Sequence, residues 1–333
     1  MNESTQPKLD GSQGAQTPQG MSSGHVPVLF AETIGALKPQ SGDVYVDLTA
    51  GRGGHATAVA QQLGPTGRVV LFDLDRGNLH YSGDRVRAAT GIEPVPVHGS
   101  FASVARELDA RGIVANLVLA DLGFASSQVD DPARGLSFMR EGPLDMRLDC
   151  SSGMTARDLI ASSSERDLAE LIARFGEEPL ARKIAAKIAA VRAVAPIETT
   201  AQLADVVRDA YGSRAHTSRM HPATKTFQAL RIAVNDEMGA LDALLDSIHR
   251  AAQRIHDGRP SWLAPGARVA IIGFHSLEDR LVKQAFAAMR RDGLCNEITS
   301  GALVCSEAES AENPRARSAK LRAVMVDSPS RVA

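Results

Sequence analysis

Four short β-rich runs follow one another between Asp43 and Asp121, and helix-compatible stretches separate them. The runs fall at 44–46, 68–72, 94–97 and 116–120, with segments such as 56–63 and 101–111 between them. Strands alternating with helices at this spacing predict a doubly wound parallel sheet. The alternation stops near Pro132, and from there to Ala233 no convincing strand appears. Instead Leu180, Ile184, Ile188 and Val191 recur at helical spacing, and Pro196 closes the segment. A longer apolar stripe, Phe227, Leu230, Val234, Met238, Leu241, Leu245 and Ile248, leads back to strand-like runs at 267–272 and 321–326. The expected architecture is an α/β core, residues 25–131 and 234–333, interrupted by an all-helical insertion over 132–233. Residues 1–24, rich in Ser, Gln, Gly and Thr, read as a disordered tail.

Charge narrows the function classes. The 333 residues carry 37 Lys+Arg against 39 Asp+Glu, a formal net charge of −2, which excludes a protein that coats nucleic acid by bulk charge. The stretch from Pro132 to Pro222 has 13 Lys+Arg and 12 Asp+Glu, so the insertion is no exception. Any nucleic-acid site must be a local patch or pocket. Three cysteines, Cys150, Cys295 and Cys305, form no Cys-x-x-Cys pair, so neither a disulfide scaffold nor a zinc site is expected. With no signal-like start and no apolar run near the ~20 residues of a membrane span, a soluble cytoplasmic protein is expected.

The sharpest local signal is Val46-Asp47-Leu48-Thr49-Ala50-Gly51-Arg52-Gly53-Gly54-His55, where a first strand would hand over to a first helix. Glycines there let backbone N–H groups approach a ligand, and the helix N-terminus favours it electrostatically. About 20 residues on, Asp73 and Asp75 follow the second strand, where a carboxylate can accept from a ribose diol. Gly51-x-Gly53-x-x-Ala56 also satisfies a dinucleotide fingerprint, so a nicotinamide enzyme stands as the alternative. Asp47, four residues before the first glycine, would repel a pyrophosphate and welcome a cationic methionine moiety. That detail, and the offset of the glycines from the strand, favour S-adenosylmethionine.

Two further sites lie at expected strand ends. The fourth strand closes in Asp121-Leu122-Gly123-Phe124-Ala125-Ser126-Ser127-Gln128, where Asp121 either accepts from a cofactor or substrate amine or caps the next segment. His275 opens His-Ser-Leu-Glu-Asp-Arg after the run at 267–272, and is as readily structural as functional. Glu278 and Asp279 with Arg280 read equally as capping charges at a helix start.

These strings, with Gly135-Leu136-Ser137-Phe138-Met139-Arg140, Gly142-Pro143-Leu144-Asp145-Met146-Arg147, His221-Pro222-Ala223-Thr224-Lys225-Thr226-Phe227-Gln228-Ala229-Leu230-Arg231 and Asn313-Pro314-Arg315-Ala316-Arg317-Ser318, occur in one order. Together with His25-Val26-Pro27-Val28-Leu29 they cover about residues 25–325. In them the chain resembles the bacterial small-subunit (16S) ribosomal RNA cytosine-N4 methyltransferases, which act on the P-site cytidine of the decoding centre. The resemblance implies a class I (Rossmann-like) S-adenosylmethionine-dependent methyltransferase core with an inserted helical domain. It places cofactor contacts at Gly53, Gly54, His55, Asp73, Phe101, Asp121 and Gln128. Asp73 would serve the ribose, Phe101 the adenine, and Asp121 and Gln128 the adenine or methionine end. The chain departs from the family's usual Asp-Leu-Gly-Val-Ser-Ser-Pro-Gln at Phe124 to Ser127, beside the target base, and is poor in the family's pattern between Arg291 and Asn313.

The implied chemistry is transfer to a weak nucleophile, because the cytosine N4 lone pair is delocalised into the ring. Catalysis then rests on alignment with the methyl and on accepting a proton. Asp121 and His275 are the candidate catalytic residues, Asp121 to orient the amine and His275 beside the base or its phosphate. No cysteine falls in any motif, which disfavours the covalent route of carbon-5 methylation. For RNA contact, Phe138 and Phe227 are candidate stacking residues for which core packing is the favoured reading. The basic candidates are Arg182, Lys183 and Lys187; Arg214, Arg219 and Lys225; and Arg315, Arg317, Lys320 and Arg322. The implied partner is 16S rRNA within the small ribosomal subunit, with no membrane; a homodimer is left open. A nicotinamide enzyme and a non-catalytic ribosome-binding module remain as alternatives.

Overall fold

The computed structural model describes residues 27–217 and 220–328. The tail expected over 1–24, together with His25, Val26 and Arg219, lies outside the described residues. One sheet contains β1 (Val44–Asp47), β2 (Arg68–Asp73), β3 (Val95–His98), β4 (Ala115–Asp121), β5 (Leu263–Gly273), β6 (Cys295–Glu297), β7 (Leu303–Val304) and β8 (Lys320–Val326). Their order is β3-β2-β1-β4-β5-β8-β6, with β7 also on β8. β1 to β5 are parallel: Val118 of β4 lies between Val46 of β1 and Val269 of β5. β8 is antiparallel, with Val324 beside Val269. This is a Rossmann-like α/β fold: a mostly parallel sheet with antiparallel strands at one edge. Strand order reverses between β1 and β4, which opens a crevice beyond their C-terminal ends.

Side chains alternate across the sheet and both faces are buried, so the parallel strands read as nearly continuous apolar runs. Val46, Val70, Val118 and Val269 pack on one face with Leu241, Leu244 and Ile248 of the helix Glu237–His256. Tyr45, Val69, Leu117 and Ala270 pack on the other with Val59 and Leu63 of the helix Gly54–Leu63. A third core has no sheet. Ile160, Ile172, Ile184, Leu203, Phe227 and Leu230 pack together from the helices Ala156–Ser162, Glu165–Gly176, Ala181–Arg192, Thr200–Tyr211 and Ala223–Val234. Among the described residues no strand lies between Asp121 and Leu263; a single antiparallel bridge joins Pro143 to Thr199.

The long apolar stripe from Phe227 to Ile248 is two helices. The first ends at Val234, and Asp236 has left-handed backbone (φ 48°) before the next begins. Asn235 makes the break. Its side chain accepts from Leu148 N (2.7 Å) and donates to Met146 O (2.8 Å), two tertiary bonds, and also donates back to Arg231 O (2.9 Å) in the last turn. Phe227 and Leu230 therefore belong to the helical core, whereas Leu241, Leu245 and Ile248 cover the sheet. The stretch beginning at Phe101 starts as a 3₁₀ turn, Phe101–Ser103, and continues as the helix Val104–Asp109. The sequence does not announce β6 and β7, because three and two residues are too few for alternation to be read.

Candidate active site

A cavity of about 510 Å³ opens at the β1–β4 reversal and is lined by Asp47, His55, Asp73, Phe101, Asp121 and Gln128, among others. The loop after β1 is folded around its own acids. Gly51 N–H donates to Asp73 Oδ2 (2.8 Å), Asp75 N–H to Asp73 Oδ1 (2.8 Å), and the Asn78 amide to Asp73 Oδ2 (3.3 Å). Asp73 thus fixes the glycine loop as well as facing the cavity. Burial raises its pKa despite these donors.

Gly53 takes φ +71°, and a Cβ there would lie 3.0 Å from both Cα and Cβ of Ser82. At Gly54 a Cβ would fall 2.4 Å from Pro27 Cγ, so the first turn of the helix Gly54–Leu63 can sit against the N-terminal segment only as glycine. Gly54 and His55 line the cavity; Gly53 turns the chain behind it.

Asp75 is engaged elsewhere. It caps the helix Arg76–Thr90 through Gly77 N (2.8 Å), receives the Gln128 amide (3.3 Å), and pairs with Arg134. Gln128 Oε1 in turn accepts from Ala125 N (2.9 Å), which shapes the segment after β4. Asp73, not Asp75, is left for a ligand at the end of β2.

Asp47 is 2% exposed; Tyr45 Oη donates to it (2.9 Å), as does Thr49 N (3.1 Å). Burial lifts its pKa to about 6. Asp121 has its backbone N–H on Thr49 Oγ1 (2.7 Å), while its Oδ1 is buried without a hydrogen-bond partner. Burial first, then the charges of Asp47 and Glu278, push the Asp121 carboxyl up to about 8. His55 Nε2 stands 3.8 Å from Asp121 Oδ2, and burial lowers that imidazole to about 4, so it is neutral. Two raised carboxyls and unsatisfied polar atoms in one cavity favour a cationic ligand with hydrogen-bond donors, and oppose a pyrophosphate.

His275 is placed differently. It caps the helix Ser276–Arg291: its Nδ1 accepts from Glu278 N (3.4 Å), and Glu278 Oε2 accepts from Phe274 N (2.7 Å) and His275 N (3.2 Å). The reciprocal bonds form a capping box, with His275 Nε2 3.2 Å from Glu278 Oε1. Burial would raise Glu278, but His275, Phe274 N–H and Arg231 outweigh it and hold the carboxyl below its ordinary value. Phe274 lines the cavity, whereas the His275 side chain, 11% exposed, belongs to the cap. Glu237 joins this pair, with ligand-capable atoms of all three within 4.8 Å, but Arg231 already holds Glu237 at 2.7 and 2.8 Å.

The basic and aromatic candidates also separate. Lys320 and Arg322 bond Asp279 (3.1 and 2.8 Å), Lys187 pairs with Asp209 (3.7 Å), and Lys225 donates to Glu177 O (2.8 Å). Arg315 lines the cavity and lies 3.6 Å from Asp130. Phe227 is core, 5% exposed and edge-on to Phe138 at 5.1 Å. Two arginines not anticipated, Arg52 and Arg85, also line the cavity, Arg52 lying 3.3 Å above the Tyr81 ring. No sequence periodicity marks them. Among the described residues no helix is long and apolar enough to cross a membrane.

Residues 22–326 match the MraW methylase family. The Ribosomal RNA small subunit methyltransferase H of Geotalea uraniireducens (strain Rf4) is 42% identical over 90% of this chain and 97% of its own. That of Syntrophotalea carbinolica (strain DSM 2380 / NBRC 103641 / GraBd1) is 42% identical with the same coverage of both chains. That of Citrifermentans bemidjiense (strain ATCC BAA-1014 / DSM 16622 / JCM 12645 / Bem) is 40% identical, again over 90% and 97%. With a cation-favouring cavity at the strand reversal and this similarity along nearly its whole length, the chain belongs to the MraW methylase family of S-adenosylmethionine-dependent methyltransferases.

Proposed function

We propose that this chain methylates the exocyclic N4 of one cytidine of 16S rRNA, in the P site of the decoding centre, on the small ribosomal subunit in the cytoplasm. The observation that carries the reading is Asp121: a half-buried carboxyl at the end of β4 that lines the cofactor cavity, with its Oδ1 buried and unpartnered. An amine nucleophile needs an acceptor for its hydrogen and its proton, and Asp121 offers one where the cavity can bring the amine. The relatives, which carry small-subunit ribosomal RNA methyltransferase names, support the RNA substrate.

When bound, S-adenosylmethionine supplies an electrophilic methyl on a sulfonium. Asp47 and Asp121 provide negative potential for that cation, Asp73 takes the ribose, Phe101 packs by the adenine, and Gly53, Gly54 and His55 shape the loop. Gln128 holds the β4 end in place. Asp121 orients the amine and accepts its proton once ionised. His275, with Glu278, fixes the helix that follows β5 and so the wall beside the base. Residues 132–233 serve as the substrate-recognition domain around their separate core. Because the chain carries net −2, recognition depends on placed arginines and target shape, and free single-stranded RNA is a poor substrate.

The test is transfer of labelled methyl from S-adenosylmethionine to undermethylated small subunits and, in parallel, to deproteinised RNA. Incorporation into subunits, with little into free RNA, is expected. Subunit binding without incorporation would instead identify a non-catalytic ribosome-binding module.

A further inference from the structure

Phe124 follows Asp121 by three residues and lines the same cavity while 36% exposed. One face of its ring is occupied: the Arg231 guanidinium lies 4.6 Å from the centroid. That guanidinium is itself fixed by the two bonds to Glu237, both side chains being nearly buried. The ring is therefore clamped from behind by an immobilised cation, and its exposed surface is the part turned to the cavity.

The other aromatic residues of the cavity are otherwise engaged. Tyr81 lies beneath Arg52, and Phe101 begins the 3₁₀ turn after β3. Phe274, partly buried, packs one side against the core on the Gly54–Leu63 side of the sheet and lies by Gly123. Gly123, at φ +101°, makes the turn that sets Phe124 beside Asp121.

Resting on the reading that Asp121 receives a base amine, we infer that Phe124 is the platform on which the target base stacks. A nucleobase extracted from its neighbours loses stacking, and an aromatic face that replaces it both retains the base and fixes its plane. Arg231 keeps the ring from turning, so the exocyclic amine is delivered in one orientation to Asp121. Because Arg231 belongs to the helix Ala223–Val234, the helical region holds the platform that the sheet presents.

The test compares Phe124→Leu, Phe124→Val and Phe124→Tyr with wild type on undermethylated small subunits, with cofactor affinity and thermal unfolding measured alongside. Leucine and valine should raise KM for subunits and lower kcat/KM by about 10- to 100-fold, the range of a lost base–aromatic stack. Tyrosine should recover most of that loss, and cofactor affinity and thermal midpoint should stay unchanged throughout. Leucine as active as tyrosine would overturn the inference, since bulk alone would then suffice. A parallel loss of cofactor affinity would also overturn it, by placing the ring on the cofactor. The methylated nucleoside is identified in the same reactions. A wild type that modifies a base other than cytosine removes the cytidine reading but leaves the stacking comparison intact.

Discussion

Asp121 and Glu278 are acids at the ends of neighbouring strands, Asp121 half-buried at the end of β4 and Glu278 buried in the first turn after β5, yet their surroundings are opposite. Glu278 accepts two backbone N–H groups and lies against His275, so its charge is satisfied within the protein. Asp121 faces Asp47 and a neutral His55, with Oδ1 unpartnered. Burial penalises both, but only Glu278 has enough donors to end below its ordinary pKa, while Asp121 rises to about 8. The chain itself satisfies the charge of Glu278, whereas Asp121 keeps an oxygen free for a ligand.

The contrast breaks most decisively at Asp121. Asp121→Asn keeps the shape but removes the proton acceptor, and kcat should fall by about 100- to 10,000-fold. Its unfolding free energy should equal or exceed that of wild type, and a kcat within tenfold would remove Asp121 from the mechanism. Glu278→Ala should do the converse. It orphans two N–H groups and the cap, so denaturant titration should show a loss of about 3 kcal/mol, with a much smaller effect on turnover in the folded fraction. Gly54→Ala forces a Cβ against Pro27 and should weaken cofactor binding roughly tenfold through strain in the loop.

Opposite shifts also give opposite pH dependences. Between about pH 4 and 8 the folded protein holds a proton on Asp121 that the unfolded chain has released, so stability falls as pH rises. Asp47, raised to about 6, steepens the lower part of that decline. Glu278 contributes stability above its unfolded pKa and loses it as pH falls through its depressed folded value. Denaturation across pH should find the decline reduced in Asp121→Asn and the acid-side loss reduced in Glu278→Gln. The smallest effect is expected at His275→Asn. Asparagine is itself a good cap, so stability should change by less than about 1 kcal/mol and turnover little. A large loss of turnover with an intact fold would restore His275 to the base or its phosphate.

Much of this was legible in the sequence where a local pattern and its structural cause coincide. The β-rich runs at 44–46, 68–72 and 116–120 became β1, β2 and β4 because buried parallel strands need apolar residues on both faces. The glycine loop with Asp47, Asp73 and Asp121 converged because those positions end neighbouring strands. What sequence spacing could not reveal depends on partners far away in the chain. Asn235 breaks a continuous apolar stripe through bonds to Met146 and Leu148, and Asp75 is diverted from the cavity by Arg134. Lys320 and Arg322, plausible phosphate contacts by charge, neutralise Asp279. The Arg231 clamp on Phe124 joins residues more than a hundred positions apart, and only the folded chain brings them together.

The most direct test of the contrast is calorimetry of S-adenosylmethionine binding at pH 7 in buffers of different ionisation enthalpy. If Asp121 is held protonated until a cation arrives, wild type should release about one proton per cofactor bound, and Asp121→Asn almost none. Heat independent of buffer in the wild type would mean that binding releases no proton from this carboxyl. That result would contradict the account of Asp121 as the acid left for the ligand.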